Sequence, residues 1–378
     1  EILGGPIAAD RGAVHRSVLT LVTDAVMIRE PMVPPRRLLA RYQQHLAETR
    51  SRLEQLLDGL PASPDFELRS GPIEGGFRSH ARFSVDASKG RCVVSGADPL
   101  GGSGDWRATV WILTRVGRQL VERVVAHLEE TVSQFPVRGF DLCLGQGTEQ
   151  AHLVMAVDRA EAVSFRPWAE AMLERDERFT GVSVPSQSLT AGEPLVAHQV
   201  CGVELRSHPM AFFQTNHRLA GQLFATVRAA ADREPADDLL DLYCGAGVHG
   251  LLAGAGPALT GVDADPRVVD AARLNATRLG RTARYVRAEA GAYLSTAHSR
   301  SPDLVIANPP RAGCGEAVNE ALGALRPARV CLVCCSAEAH ARDLRQLGAA
   351  GYTVERCTAF DMFPFSSYVE CVSELRLR

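Results

Sequence analysis

The sequence has almost no lysine, no long apolar run and no matched pair of Cys-x-x-Cys motifs. Lys89 is the only lysine among 41 basic residues, a bias that we interpret as a property of the coding genome. No apolar run approaches the roughly 20 residues that cross a bilayer. The first residues lack the basic and apolar regions of a secretion signal. We therefore expect a cytoplasmic protein that does not enter a membrane.

Cysteine is plentiful, but its spacing does not indicate a metal site. Ten cysteines occur, and no Cys-x-x-Cys pair is matched by a second one, which argues against structural zinc. Cys244, Cys331 and Cys334 fall in apolar strand patterns, where cysteine often acts as a small core residue. We expect no bound metal and a reducing compartment.

The totals are those of an ordinary globular protein. The chain has 378 residues, of which 46% are hydrophobic and 22% are charged, with a net charge of −3. This length allows two or three domains. The slightly negative net charge argues against a protein whose whole surface is basic, although it allows a local basic face.

The apolar pattern divides the chain into three regions. Residues 1–65 comprise an irregular arm and a helix predicted from Leu38 to Leu60. Residues 66–209 show short, partly alternating strands with helices between them, which predicts an α+β domain with an antiparallel sheet. Residues 210–378 alternate strands with helices and finish with two antiparallel strands. They predict an α/β, doubly wound, Rossmann-like domain that binds ligands beyond the carboxyl ends of its strands.

A glycine-rich turn between two apolar runs is central to the third region. The runs at 239–243 and 258–262 predict buried strands, and Asp263 follows the second. The turn contains a G-x-G-x-x-G pattern that begins with Gly245 and Gly247. Glycines allow close approach of the backbone to a ligand, and an acid at the second strand end can bind a ribose. NAD, S-adenosylmethionine (SAM) and a merely tight turn all remain compatible with this stretch.

Four further stretches decide between these alternatives by their order. They are Phe-Phe-Gln-Thr-Asn at 212–216, Asn-Pro-Pro-Arg-Ala-Gly at 308–313, Cys-Cys-Ser-Ala at 334–337, and Phe-Asp-Met-Phe-Pro-Phe-Ser-Ser-Tyr-Val-Glu at 360–370. In this order they resemble the SAM-dependent uracil C5-methyltransferases of RNA, most of all the subgroup that modifies uridine 747 of 23S rRNA. The resemblance is close over the last half of the chain, fainter from about Gly71 and absent at the start.

The resemblance implies a role for each matching position. The residues that would contact SAM are Gln214, Tyr243, Gly245, Gly247, Asp263 and Asn308. Cys335 would be the nucleophile and Glu370 the proton acceptor. In this chemistry a thiolate adds to carbon 6 of uracil, carbon 5 then takes the methyl group, and a base removes the proton from carbon 5.

Local patterns refine the prediction for the nucleophile. Alternation along a strand points Cys334 into the sheet, so we choose Cys335 of the two adjacent thiols. A helix is predicted to begin at Ala337, and its dipole would lower the pKa of the Cys335 thiol.

The sequence also departs from the family pattern. Ser336 follows Cys335 where relatives usually have asparagine. Many relatives carry an N-terminal cysteine group for an iron–sulfur cluster, whereas no cysteine here precedes Cys92. We expect a colourless protein without that cluster, and we find no counterpart of the RNA-binding barrel that some relatives add.

Alternative functions stay open at this point. The main expectation is a monomer that methylates a uridine in RNA, with 23S rRNA as partner, and the first alternative is SAM-dependent C-methylation of a small molecule such as a nucleotide or a natural-product ring. A catalytically silent RNA-binding module is disfavoured by Cys335 and Glu370, and no stretch resembles the hydride-transfer site of an NAD dehydrogenase. The central domain carries arginines that either hold phosphates or form a solvated face of the sheet: Arg69, Arg78, Arg82 and Arg91.

Overall fold

The computed structural model describes ten stretches of the chain. They are residues 36–60, 64–71, 75–86, 92–97, 103–131, 134–135, 137–157, 164–254, 258–296 and 301–378. The irregular arm predicted before Arg36, and Arg91 among the candidate phosphate ligands, lie outside these ranges.

Ten α-helices occur within the described ranges. They are α1 (Arg36–Leu57), α2 (Trp106–Thr109), α3 (Arg115–Thr131), α4 (Arg166–Arg175), α5 (His217–Asp232), α6 (Val248–Leu252), α7 (Pro266–Arg278), α8 (Ala290–Leu294), α9 (Glu316–Leu325) and α10 (Ala337–Ala349). The helix predicted from Leu38 to Leu60 corresponds to α1. No helix in these ranges is both long and apolar enough to span a bilayer.

Seventeen strands accompany these helices. They are β1 (Asp65–Arg69), β2 (His80–Asp86), β3 (Val93–Ala97), β4 (Ser103–Asp105), β5 (Val137–Leu144), β6 (Ala151–Val157), β7 (Phe179–Val184), β8 (Leu189–Gly192), β9 (Val196–Val200), β10 (Val203–Ser207), β11 (Asp238–Leu242), β12 (Ala258–Asp263), β13 (Ala283–Arg287), β14 (Leu304–Ala307), β15 (Arg329–Cys334), β16 (Tyr352–Phe360) and β17 (Glu370–Leu377).

The C-terminal sheet is doubly wound, as the sequence predicts. Its strand order is β1-β16-β17-β15-β14-β11-β12-β13, and of these strands β17 alone runs against the others. Helices α5, α6 and α7 pack on one face, and α1, α8, α9 and α10 pack on the other. Because β17 is antiparallel, its first residue lies at the edge where the parallel strands end. Cys371 pairs with Cys334 in that register, so Glu370 lies beside the end of β15.

Strand β1 belongs to the C-terminal sheet and not to the central domain in which the sequence analysis placed it. It pairs in parallel with β16, with Phe66 opposite Cys357. Helix α1 packs on the same part of the molecule, since Leu53 and Leu57 share an apolar core with Leu344. The predicted boundary between residues 65 and 66 therefore does not separate two sheets. The partner of β1 lies almost 300 residues further along the chain, a distance that periodicity cannot bridge.

The central sheet has the order β4-β3-β2-β5-β6-β7-β8. The prediction of an antiparallel sheet is correct except for β6 and β7, which pair in parallel across a connection that contains α4. Helices α3 and α4 cover this sheet, and Leu120, Phe140 and Trp168 lie in its core. A hairpin of β9 and β10 follows, and its Val200 and Leu205 pack into the core of the C-terminal domain.

Helix α1 also holds the loop that joins β16 to β17. The Tyr42 hydroxyl donates a 2.6 Å hydrogen bond to Oδ2 of buried Asp361, and His45 Nε2 lies 3.2 Å from Oδ1. Burial, with the Asp361 carboxylate, raises the pKa of Tyr42 above its usual value, which keeps the hydroxyl available as a donor. The Phe365 ring, on a backbone with φ of +65°, packs 5.5 Å from the Tyr42 ring.

The contact between Tyr42 and Asp361 gives a stability prediction. We expect Tyr42→Phe to lower the free energy of unfolding by about 1–3 kcal/mol, because it removes the donor from a buried carboxylate oxygen. The matched control is Arg50→Ala on the same helix, which breaks the exposed Arg50–Glu54 pair and should change stability by about 0.5 kcal/mol or less. Urea unfolding followed by circular dichroism measures both changes. Equal losses of unfolding free energy in the two variants would contradict the stabilising role of the Tyr42–Asp361 hydrogen bond.

Candidate active site

One cavity brings together most of the site residues chosen from the sequence. Its volume is about 820 Å³, within the usual range for small-molecule sites, and it lies at the carboxyl edge of the C-terminal sheet. Seven of the eight candidates line it: Gln214, Tyr243, Gly245, Asp263, Asn308, Cys335 and Glu370.

Gly247 is the candidate that does not line this cavity. Its backbone has φ of +81°, and a Cβ atom there would lie 2.7 Å from the Tyr285 hydroxyl oxygen. Gly247 therefore permits the tight turn at the start of α6 and the packing beneath it.

The glycine-rich turn and Asp263 form one hydrogen-bonded unit. Asp263 Oδ2 accepts a 3.0 Å bond from the backbone N–H of Gly245, and Oδ1 accepts a 3.0 Å bond from that of Asp265. Each carboxylate oxygen has a further lone pair. Asp263 thus fixes the turn and retains acceptor capacity at the edge of the cavity.

A second carboxyl group supports the turn from within the protein. Asp241 is fully buried, and its Oδ2 accepts a 2.9 Å bond from the backbone N–H of Gly250. Burial raises the pKa of Asp241 to about 7. The sequence places this acid at the head of the motif but does not indicate that it is buried.

Cys335 and Glu370 meet at the cavity wall from neighbouring strands. Cys334 ends β15 and is completely buried, whereas Cys335 is half-buried and lines the cavity, as strand alternation predicts. Glu370 begins β17, and its Oε1 accepts a 3.3 Å bond from Gln214 Nε2. Glu370 Oε2 has no hydrogen-bond partner among the described residues. Burial raises the pKa of Glu370 to about 7, against the opposing effect of Gln214.

The predicted lowering of the Cys335 pKa is wrong. Burial raises the pKa of the thiol to about 11, and Glu370 adds to the shift while Arg311 opposes it. Ser336 caps α10, and its hydroxyl accepts from the Ala339 N–H at 3.4 Å. The helix does begin at Ala337 as expected, but burial is the largest influence on the pKa of the thiol.

Arg311 and Tyr368 are part of the wall although sequence reasoning gave them no role. The Arg311 guanidinium lies 4.6 Å from the centroid of the Tyr368 ring, and the Phe363 ring contacts that ring edge-on at 6.4 Å. Arg311 belongs to the Asn-Pro-Pro-Arg stretch, and its position in that motif could have identified it as a residue of the site. Tyr368 lies in the loop that α1 anchors and belongs to the quoted stretch at 360–370, so the same kind of signal was available for it.

The arginines proposed from the sequence as phosphate ligands have different environments, and Arg69 lies in β1 of the C-terminal sheet. Arg78 lines the cavity, and burial lowers the pKa of its guanidinium. Arg82 makes two 2.8 Å bonds to Asp141, and Arg69 bonds to Glu67 at 2.8 Å. Only Arg78 of these three therefore faces the predicted site. In the described ranges no group of three or more His, Cys, Asp or Glu side chains is placed to hold a metal ion.

Comparison with known proteins agrees with this geometry. Residues 202–332 match the family model described as Methyltransferase small domain. The structure is similar to that of the tRNA (uracil-54, C5)-methyltransferase of Pyrococcus abyssi in complex with S-adenosyl-L-homocysteine, with a TM-score of 0.68 and 22% identity. That match covers 88% of this chain and 83% of the other. The C-terminal domain therefore has a Rossmann-like fold of the kind found in methyltransferases.

The sequence matches are more specific. The chain is 33% identical over 217 residues to the 23S rRNA (uracil(747)-C(5))-methyltransferase RlmC of Shigella dysenteriae serotype 1, covering 55% of this chain and 57% of that one. It is 36% identical over 174 residues to RlmC of Escherichia coli O17:K52:H18, covering 46% of each chain. The chain thus spans about half the length of these curated relatives. The resemblance inferred from the four stretches is confirmed.

The raised pKa of Glu370 predicts how stability changes with pH. In the folded protein the Glu370 carboxyl keeps its proton up to about pH 7. In the unfolded chain it loses the proton near its ordinary pKa of 4.5. This carboxyl therefore favours the folded state most at low pH. That contribution is lost as the pH rises from about 4.5 to 7. The wild-type protein should lose unfolding free energy between pH 5 and 8. Because Glu370→Gln removes the ionisable group, we expect the variant to lose about 2–3 kcal/mol less over the same range.

Chemical denaturation at both pH values measures this difference. Glu48→Gln is the matched control, because Glu48 lies on the exposed face of α1. It should leave the pH profile unchanged. A profile of Glu370→Gln that coincides with the wild type would contradict the assigned burial of this carboxyl.

Proposed function

We propose that the protein transfers a methyl group from SAM to carbon 5 of a uridine in RNA, with 23S rRNA as the expected substrate. The observation that carries the proposal is the meeting of the Cys335 thiol and the Glu370 carboxyl in one cavity wall. The same cavity contains the glycine turn and Asp263. The named activity of the RlmC relatives supports the choice of substrate.

The cavity suits SAM in both shape and chemistry. Asp263 has acceptor capacity for the ribose hydroxyls, and Gly245 lets the backbone approach the ligand. Tyr243, Gln214 and Asn308 complete the set of side chains that would hold it. When bound, SAM supplies an electrophilic methyl group.

Cys335 would act as the nucleophile toward the uracil ring. Its thiolate adds to carbon 6, which moves the electron pair of the ring double bond toward carbon 5 and makes that atom nucleophilic. Burial holds the thiol protonated, and Arg311 opposes this effect. Arg311 therefore assists the ionisation that the addition requires.

Glu370 would remove the proton from carbon 5 after methyl transfer. A pKa of about 7 allows a carboxylate to accept that proton near neutral pH. Gln214 engages Oε1, and Oε2 has no described partner, so Oε2 is the atom that would take the proton. Loss of this proton permits the thiolate to leave and the double bond to re-form.

Residues outside the C-terminal sheet would receive the RNA. A base in a helix must leave its stack to reach a buried thiol. Phe212 is 65% exposed on the cavity wall and offers a ring on which a base can stack. Arg78 adds a positive charge for a phosphate on the central-domain side.

A small-molecule acceptor is the second candidate function. The observation in its favour is that Arg69 and Arg82 are paired with acidic side chains rather than presented together for phosphates. A nucleotide or a natural-product ring would then be methylated in the same cavity. Activity on free uridine nucleotides that exceeds activity on 23S rRNA fragments would favour this alternative.

The cofactor is tested by binding. We expect calorimetry to detect binding of S-adenosylhomocysteine and none of NAD. Asp263→Ala should weaken binding by about 1.5–3 kcal/mol, the range for hydrogen bonds to a charged group. Asp270→Ala is the matched control, because Asp270 lies exposed on α7 and pairs with Arg273. Heat from NAD alone would overturn the choice of cofactor.

The mechanism is tested by two substitutions that should fail differently and by one control. Cys335→Ala cannot form the adduct, so we expect no methyl transfer and no covalent complex with RNA. Glu370→Gln can form the adduct and accept the methyl group, so it should accumulate a methylated enzyme–RNA conjugate that survives a denaturing gel. Cys334→Ala is the matched control, which should lose about 1 kcal/mol of stability and keep its activity.

Two outcomes would contradict this assignment. An inactive Cys334→Ala with an active Cys335→Ala would transfer the nucleophilic role to the neighbouring thiol. Full activity in both would exclude the thiol adduct and would favour direct methylation of an acceptor that is already nucleophilic.

A further inference from the structure

A histidine directly behind the glycine turn lines the cavity without a role in the chemistry above. His249 lies in α6 and is 5% exposed. Its Nε2 is 3.3 Å from Asn308 Nδ2, and the Phe224 ring packs against it at 5.6 Å. Its Nδ1 is buried and has no hydrogen-bond partner among the described residues.

We infer that His249 is a positioning residue that fixes the side-chain amide of Asn308 and so determines which atom Asn308 presents to the cofactor. The inference rests on the proposed function, because it assumes that SAM occupies this cavity. It adds a specificity determinant that neither the glycine turn nor the Asn-Pro-Pro-Arg stretch reveals by itself.

The imidazole must be neutral to accept a hydrogen bond from Asn308, because a protonated ring has no acceptor nitrogen. Burial lowers the pKa of His249 to about 4, so the ring is neutral near pH 7 and has one N–H and one acceptor nitrogen. In the observed geometry Nε2 faces the amide nitrogen of Asn308 and accepts its hydrogen bond. Asn308 Oδ1 makes no hydrogen bond to the described residues and is left as the acceptor for a ligand.

An acceptor at this position selects a donor group of the ligand, and with the ribose hydroxyls assigned to Asp263 that donor is an N–H group. SAM carries two such groups, the ammonium of its amino-acid part and the exocyclic amine of adenine. If the amide could rotate freely, Asn308 would present a donor as often as an acceptor, and this preference would be lost. His249 therefore favours ligands that donate to Asn308.

The lack of a partner for Nδ1 argues that His249 is a positioning residue and not a residue required for stability. A buried polar atom without a partner destabilises the folded protein, whereas an apolar ring of similar shape does not. Phe224 and Phe213 already form an aromatic surface on this side of the cavity. A phenylalanine at position 249 would therefore fit the wall at least as well, and only the contact with Asn308 requires histidine.

A double-mutant cycle tests the inference with the full chain and S-adenosylhomocysteine as the probe. We expect His249→Phe to raise the dissociation constant about 3- to 10-fold, the loss of one ordinary hydrogen bond. Its melting temperature should equal or exceed that of the wild type. Asn308→Ala should weaken binding by a similar or larger factor, and adding His249→Phe to it should weaken binding no further, because the two residues act as one unit.

The conservative variant Asn308→Asp and the truncated ligand methylthioadenosine provide two further tests. Asn308→Asp should bind within about 3-fold of the wild type, because a carboxylate accepts on both oxygens and the imidazole can donate from Nε2 instead. Methylthioadenosine lacks the amino-acid part. If His249→Phe still weakens its binding, Asn308 contacts the adenine amine, and if the effect disappears, Asn308 contacts the ammonium group.

The remaining outcomes would overturn either the positioning role of His249 or the proposed cofactor. Additive effects of His249→Phe and Asn308→Ala, or an unchanged dissociation constant in His249→Phe, would overturn the positioning role and leave the proposed function intact. Weaker binding with a matching loss of melting temperature would also overturn it and would leave a structural role. A wild-type protein that binds no S-adenosylhomocysteine would overturn the proposed cofactor and this inference together.

Discussion

The insertion of one antiparallel strand into an otherwise parallel sheet is the constraint on which the site depends. Strand β17 lies between β15 and β16 and runs against both. Parallel strands deliver their carboxyl ends to one edge, where ligands of doubly wound sheets bind. The reversal brings the start of β17 to that same edge, so Glu370 lies beside the end of β15 and the Cys335 thiol that follows it. A parallel strand in this position would have placed Glu370 at the opposite edge of the sheet.

Burial is the dominant electrostatic influence on the side chains of this edge. It raises the pKa of Cys335 to about 11 and those of Glu370 and Asp241 to about 7, and it lowers the pKa of His249 to about 4. All four shifts favour the neutral form, as expected for a site that excludes water. A positively charged ligand would reverse part of this effect and favour ionisation of the thiol and the carboxyl.

The N-terminal helix and the first strand belong to this arrangement, although they lie far from it in the chain. Strand β1 extends the sheet beyond β16, and α1 holds Asp361 through Tyr42 and His45. Asp361 begins the loop that carries Tyr368 to the cavity wall and leads into Glu370. A change in α1 can therefore alter the position of the loop that carries Tyr368 and leads into Glu370.

The sequence by itself determined the elements whose signals are local. Apolar periodicity located helices such as α1, the glycine turn located the edge of the sheet at which the cavity lies, and strand alternation separated buried Cys334 from Cys335. Four short stretches in a fixed order indicated the methyltransferase class. Tertiary structure alone decided what depends on partners distant in the chain: the pairing of β1 with β16, the contact of His249 with Asn308, and the burial that raises the pKa of Cys335. These properties arise from desolvation and from packing between remote segments, which leave no periodic pattern in a single sequence.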